Sequence, residues 1–160
     1  MLEKVLSGGQ TGADVAGMLA AKKCGLLTGG WMPKGWRTQD GPKPHFEKMF
    51  GMEEHHQSAY PGRTFKNVMS SDGTVRIAYN FTTAGEVLTK KAIDQYKKPW
   101  FDVDPSVPGQ PSMLADWIIA NDIVVLNVAG NSKKTSPTIG PWAYRFLLEV
   151  FEELKARQAT

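Results

Sequence analysis

Lys4-Val5-Leu6-Ser7-Gly8-Gly9-Gln10-Thr11-Gly12-Ala13-Asp14 opens on a short apolar run, breaks at Ser7-Gly8-Gly9, and resumes at Ala13 with helix formers. An apolar run stopped by glycines reads as a buried strand entering a tight turn. The segment from Ala13 to Cys24 keeps helical spacing through Val15 and Leu19, carries Lys22-Lys23 in its last turn, and meets Gly25 as a C-terminal cap. Strand, glycine turn and helix in that order form the opening of a parallel α/β unit. A loop of small residues ahead of a helix lets backbone N–H groups approach an anion, and the helix dipole adds attraction. Close packing alone also explains such a turn.

The rest of the chain repeats the alternation. Leu26-Leu27-Thr28 is a strand candidate, and Gly29 to His45 follows with three prolines and four glycines in seventeen residues, which predicts a long irregular loop. Phe46 to Tyr60 has weak helical character, and Pro61 predicts a helix over Gly62 to Ser70. Strands are predicted at Val75–Tyr79, Trp100–Val103 and Ile123–Val128, the last a near-continuous apolar run of the kind buried on both faces. Helices are predicted at Glu86–Lys97, at Ser112–Ala120, and from Pro141 onward with Phe146, Leu147, Val150, Phe151 and Leu154 as the buried stripe. The predicted fold class is α/β: a Rossmann-like three-layer sandwich with a mostly parallel sheet, in one domain over residues 1–160.

Composition narrows the function. A formal charge of +3 suits an anionic ligand, but no Lys/Arg run is long enough for a nucleic-acid tract. Cys24 is the single cysteine, so no intrachain disulfide forms and a cytoplasmic, reducing compartment is expected. The longest apolar stretch, Trp117 to Gly130, is interrupted by Asn121, Asp122 and Asn127, and no membrane span is expected. Glu53-Glu54-His55-His56 lacks the spacing of a zinc site, and no metal is expected.

Ligands of open parallel sheets bind beyond the carboxyl ends of the strands. Those ends carry Ser7 to Gly12 with Asp14, then Asn80 to Glu86, then Asp102 and Asp104, then Ala129 to Ser136. The loop from Gly30 to Pro42 adds aromatics and cations: Trp31 or Trp36 is placed to stack on a base, and Lys34 or Arg37 to reach a phosphate. The alternative is a surface flap whose tryptophans bury against the domain or a second subunit. Arg63, Asn67 and Asp72 are ligand groups or cap and turn residues. Glu86 is the one candidate for a catalytic general base, should the chain be an enzyme, or for a ribose-hydroxyl acceptor. A first-turn Glu that complements the helix dipole is the structural alternative.

Taken together, Ser7-Gly8-Gly9-Gln10-Thr11-Gly12-Ala13-Asp14, Gly29 to Gly35 with Arg37 and Asp40-Gly41-Pro42, Arg63-Thr64 with Asn67-Val68, Ser71-Asp72-Gly73-Thr74, and Leu126-Asn127-Val128-Ala129-Gly130 occur in this order. The set resembles the circularly permuted YpsA-like branch of the SLOG superfamily, whose members often carry the name "putative molybdenum carrier protein". The resemblance implies a permuted strand order, a pocket between two glycine-rich loops, and a homodimer or homotetramer. Its wider relatives include DprA-type DNA-binding proteins, lonely-guy phosphoribohydrolases, and members proposed to bind NAD or ADP-ribose derivatives. It implies as ligand a small phosphorylated nucleotide-like molecule or the molybdenum cofactor. By position, one cradle is Gly8, Gly9, Gln10, Thr11 and Gly12, and the other is Thr83, Gly85 and Thr89. Gly35, Asp40, Asn127 and Gly130 join the site through the shared motifs. The chain departs from the family at Thr83-Ala84-Gly85-Glu86, where Thr-Gly-Gly-Thr is expected, and at Val15, where an Arg is common. The expected pose places phosphate at the first loop and a group such as ribose at the second.

Overall fold

The computed structural model describes residues 1–108 and 111–160. In chain order the elements are β1 (Lys4–Leu6), α1 (Ala13–Lys23), β2 (Leu27–Gly29), β3 (Trp31–Met32), α2 (Phe46–Phe50), β4 (Glu53–Glu54), α3 (Tyr60–Met69), β5 (Gly73–Ile77), α4 (Ala84–Tyr96), β6 (Trp100–Val103), α5 (Pro111–Ala120), β7 (Val125–Gly130) and α6 (Ile139–Gln158). Five strands form the main sheet in the order β2-β1-β7-β5-β6, and every pairing within it is parallel.

The last strand of the chain, β7, is the central strand of the sheet. If the chain is counted from β7 instead of from β1, the strand order becomes 3-2-1-4-5, the Rossmann order. The architecture is therefore a Rossmann sheet whose chain is joined through α5 into its central strand and opened after that strand and its helix, between α6 and β1. Burial follows from this placement: Leu126 and Val128 are fully buried, as are Val5 on one neighbour and Val75 and Ile77 on the other. Helices α1, α5 and α6 cover one face, with α1 packed on both α6 and β7, while α3 packs on α4 across the sheet. The larger core lies beneath α1, α5 and α6, and a smaller one of Val68, Ala92 and Ile93 joins α3 to α4.

Three segments differ from the sequence expectation. The loop after β2 is not irregular throughout, because β3 forms within it and pairs with β4 as a separate two-stranded sheet. Trp36 packs against the core, which favours burial against the domain over base stacking for that side chain. Strand β7 begins at Val125, two residues later than the apolar run suggests. Ile123 N–H closes the end of α5 on Ile118 O, and the Asp72 carboxylate takes the N–H groups of Val124 and Val125 at 3.0 and 2.8 Å. Strand β5 ends at Ile77, two residues early, because the N–H groups of Tyr79 and Asn80 turn to the Asn131 side chain.

Gly130 ends β7 with φ at 151°, and a Cβ there would lie 1.9 Å from Ile77 O on the paired strand. Gly130→Ala is expected to lower the stability by about 3 kcal/mol or more, by prising β7 from β5. Gly25→Ala is the control: φ is also positive there, but a Cβ meets nothing within 4 Å. The control should lose only about 1–2 kcal/mol of left-handed strain. Urea midpoints of the two variants at unchanged slope measure the difference.

Candidate functional site

In a Rossmann sheet the ligand crevice opens where the strand order reverses, here between β7 and β5. A cavity of about 270 Å³ lies at that point. Its walls are Gln10 and Asp14 of the first loop and α1, Tyr60, Arg63 and Thr64 of α3, Thr83 to Thr89 at the start of α4, and Gly130, Ser132 and Thr135 beyond β7. Three separate loops thus converge through the topology alone.

Most amides of the first loop are already bonded within the protein. Gly9 N–H donates to Ser7 Oγ at 3.1 Å, Thr11 N–H to Gln10 Oε1 at 3.0 Å, and Ala13 N–H to Asn131 O at 3.1 Å. Gln10 N–H donates to the Asp14 carboxylate at 3.2 Å, and the Gly8 amide also bonds that carboxylate. The protein's own anion therefore occupies part of the loop. Asp14 is buried, and burial pushes its pKa up to about 6 against the opposing pull of Arg63, whose guanidinium lies 3.7 Å away. The Glu86 charge adds to the upward shift, so the two carboxylates share one field.

Arg63 comes from α3, which starts at Tyr60 with Pro61 in its first turn. Its guanidinium lies on Gly8, where a Cβ would stand 2.0 Å from the side chain, and over the Tyr60 ring at 5.2 Å. Arg63 Nε is buried with no hydrogen-bond partner among the described residues. An unsatisfied buried donor costs about 1–3 kcal/mol, and more when charged.

Helix α4 is held from two sides. Thr83 is its N-cap, and Glu86 three residues on completes the spacing of a capping box. The Glu86 carboxylate accepts from Thr83 Oγ1 in a short contact and from Asn131 Nδ2 at 3.0 Å. Arg76, buried in β5, donates to Glu86 O at 3.0 Å and holds Asp102 through two bonds of 2.7 and 2.6 Å. Glu86 thus serves the helix start as well as the cavity wall. The N–H groups of Ala84 and Gly85 open the helix and have no intrahelical acceptor. Gly85 meets no neighbour that a Cβ would touch within 4 Å.

Of the residues the sequence singles out, Gln10, Asp14, Arg63, Thr83, Gly85, Glu86, Thr89 and Gly130 line this crevice. Gly9, Thr11, Gly12 and Asp40 line a second cavity instead. Gly8 lies under Arg63. The others stand apart from both. Asn67 binds the backbone of Trp31 on both sides, at 2.9 and 3.1 Å, and Lys66 covers the Trp31 ring. Asn127 faces into the sheet and donates to Thr74 Oγ1 at 3.2 Å. Lys34 and Gly35 are exposed, with Gly35 N–H on the Glu54 carboxylate, and Arg37 lies over the Tyr60 ring. Tyr60 and Gln39 are site residues that sequence reasoning missed, whereas Asn131, Ser132 and Thr135 lie in the strand-end segment Ala129 to Ser136 that it pointed to without giving them a role. No group of three or more His, Cys, Asp or Glu suited to a metal occurs among the described residues, and no described helix is long and apolar enough to cross a membrane.

The profile of the circularly permutated YpsA SLOG family matches residues 5–151. The chain belongs to that family. Its fold is close to a crystal structure at 1.45 Å named Putative molybdenum carrier protein, from Syntrophus aciditrophicus SB. The two share 38% identity over 94% of each chain, with a TM-score of 0.83. No curated protein matches the chain. The permuted strand order derived above is the structural meaning of the family's description.

The Asp14 shift has a thermodynamic consequence. A carboxyl whose pKa is raised on folding, from 3.8 to about 6, favours the folded state while it is protonated. That stability is present below the unfolded value and is lost as pH rises through the folded one. Relative to Asp14→Asn, the wild type should therefore lose roughly 2 kcal/mol between pH 4 and pH 7. Parallel urea titrations of both proteins across this range measure it, and equal slopes against pH would contradict it.

Proposed function

We propose that the chain is a binding protein, not a catalyst, for a small phosphorylated ligand of nucleotide or pterin type, held in the β7/β5 crevice as a carrier, sensor or sequestering protein. The observation that carries this reading is Arg63, a mostly buried guanidinium on the cavity wall whose Nε lacks a partner among the described residues. A ligand phosphate beside the guanidinium would add a second counter-charge to that of Asp14, and charge-assisted bonds of this kind are the strong ones.

The same geometry supports a pose. The amides of Gly9, Gln10 and Thr11 are taken by Ser7, Asp14 and Gln10, whereas α4 opens toward the cavity at Ala84 and Gly85. Phosphate fits the start of α4, between Arg63 and the hydroxyls of Ser132 and Thr135. Asp14 and Glu86 remain as acceptors for sugar hydroxyls. This reverses the pose expected from the loop sequences, because a loop already filled by its own carboxylate is a poor phosphate cradle. The neighbour named as a molybdenum carrier fits the reading, since a pterin cofactor also pairs a ring with a phosphate.

A second reading, cleavage of an N-glycosidic bond, draws on the two carboxylates. Asp14, half protonated near pH 6, could serve as the acid while Glu86 acts as the base. One set of experiments separates the two. Native mass spectrometry of freshly purified protein should reveal a bound small molecule, and thermal shift should respond to ribose 5-phosphate, ADP-ribose or a phosphorylated pterin. Arg63→Met should weaken that binding about tenfold to a hundredfold. No bound molecule and no thermal response would remove the binding reading. Release of free base from ADP-ribose or a nucleoside monophosphate would favour the hydrolase.

A further inference from the structure

A second and larger cavity, about 490 Å³, shares a wall with the crevice. Three segments contribute neighbouring residues to both. In the first loop Gln10 faces the crevice and Thr11 the second cavity; Gln39 and Asp40 divide likewise, as do Ser132 and Lys133. The partition between them includes a layer of side-chain contacts at the surface: Gln39 N–H donates to Gln10 Oε1 at 2.9 Å, and Thr11 Oγ1 donates to Gln39 Oε1 at 3.1 Å.

The two cavities differ in chemistry. The crevice is lined by carboxylates, hydroxyls and a guanidinium, whereas the larger cavity is walled by Val15, Ala16, Leu19, Phe46 and Tyr144, with Lys43 and a few other polar groups among them. That size and that lining are those of a small-molecule site, apolar with a few orienting polar groups.

Gly140 supplies an independent sign. Among the described residues, seven glycines have ordinary backbone angles, and at five of them, Gly8, Gly17, Gly29, Gly62 and Gly73, a Cβ would come closer than 3.0 Å to a neighbour. Packing against core side chains accounts for Gly17 and Gly73, while Gly8, Gly29 and Gly62 first meet the side-chain ends of Arg63, Lys4 and Gln57. Packing does not account for Gly85, where a Cβ meets nothing within 4 Å, or for Gly140, where the nearest atom is at an ordinary 3.7 Å. Both stand in the first turn of a helix, where alanine is the better helix former, and each lines one of the two cavities. A glycine that the fold does not need, on a cavity wall, leaves room for a molecule that approaches the backbone.

We propose that the larger cavity receives the planar heteroaromatic ring of the ligand whose phosphorylated sugar occupies the crevice, with Gly140 as the floor that admits it. The inference rests on the binding reading above and adds the class of ligand: one that spans a polar and an apolar subsite across the Gln39 partition.

The test uses the full chain, with ribose 5-phosphate as the sugar probe, free adenine and a free pterin as ring probes, and ADP-ribose as the joined probe. The ring probes should shift the methyl resonances of Ala16 and Leu19, and whichever ring shifts them at lower concentration identifies the source. Gly140→Ala should melt at a higher temperature than wild type, bind ADP-ribose or the joined pterin phosphate at least tenfold more weakly, and bind ribose 5-phosphate unchanged. Ring probes that leave Ala16 and Leu19 unshifted would overturn the proposal, as would a Gly140→Ala protein with wild-type affinity for the ring-bearing ligands. Self-association that buries the same methyls, without any response to rings, would also overturn it and assign the cavity to a second copy of the chain. Failure of ribose 5-phosphate alone to bind tells against the crevice, not against the ring site, so the two readings fail separately.

Discussion

Asn131, only 1% exposed just beyond β7, holds together four parts of the chain that are distant in sequence. Its Oδ1 accepts from the N–H groups of Tyr79 and Asn80 and from Ser136 Oγ, and its Nδ2 donates to Asn80 O and Glu86 Oε2. Its backbone bonds Ile77 and Ala13. One residue thus fixes the end of β5, the starts of α1 and α4, and the approach to α6. In a buried network each lost bond strands a partner, so the cost of disturbing this residue is several times that of one hydrogen bond. The crevice keeps its shape because its three loops are tied to one residue through its side chain and its backbone.

That residue has its reach because β7 is central. Opening a Rossmann chain after its middle strand and the helix that follows leaves the sheet order intact but puts the switch-point loop late in the sequence. Residues 4 to 6 and 125 to 127, far apart along the chain, then pair in parallel register, and the loops that follow them come side by side. The permutation changes where the chain begins and not where the ligand crevice stands.

Much of the fold was legible from local pattern. Apolar runs bounded by glycine, and helices with one buried stripe, located the five main strands and five of the six helices within a few residues, since burial on both faces leaves a continuous apolar signal. The misjudged boundaries share a cause: at β5 and β7 a side chain, Asn131 or Asp72, takes backbone N–H groups that the pattern assigns to the sheet. Two-residue strands such as β3 and β4 have no period to detect. At the site, the strand-end rule found Gln10, Asp14 and Glu86, the family resemblance added Thr89, and Arg63 was noted as a flanking cation. Sequence could not show that Asp14 fills the first loop, because that depends on a side chain folding back on its own turn. Nor could it show that Asn67 and Asn127 serve the scaffold, since their partners, Trp31 and Thr74, are 36 and 53 residues away.

The central claim is that a phosphorylated small molecule sits in the β7/β5 crevice with its phosphate at the start of α4. A crystal structure of the protein soaked with ribose 5-phosphate tests it most directly. The account predicts phosphate density beside Arg63 and the N–H groups of Ala84 and Gly85, with sugar hydroxyls on Asp14 and Glu86. Phosphate density on the amides of Gly9 to Gly12 with Asp14 displaced, or an empty crevice at saturating ligand, would contradict it.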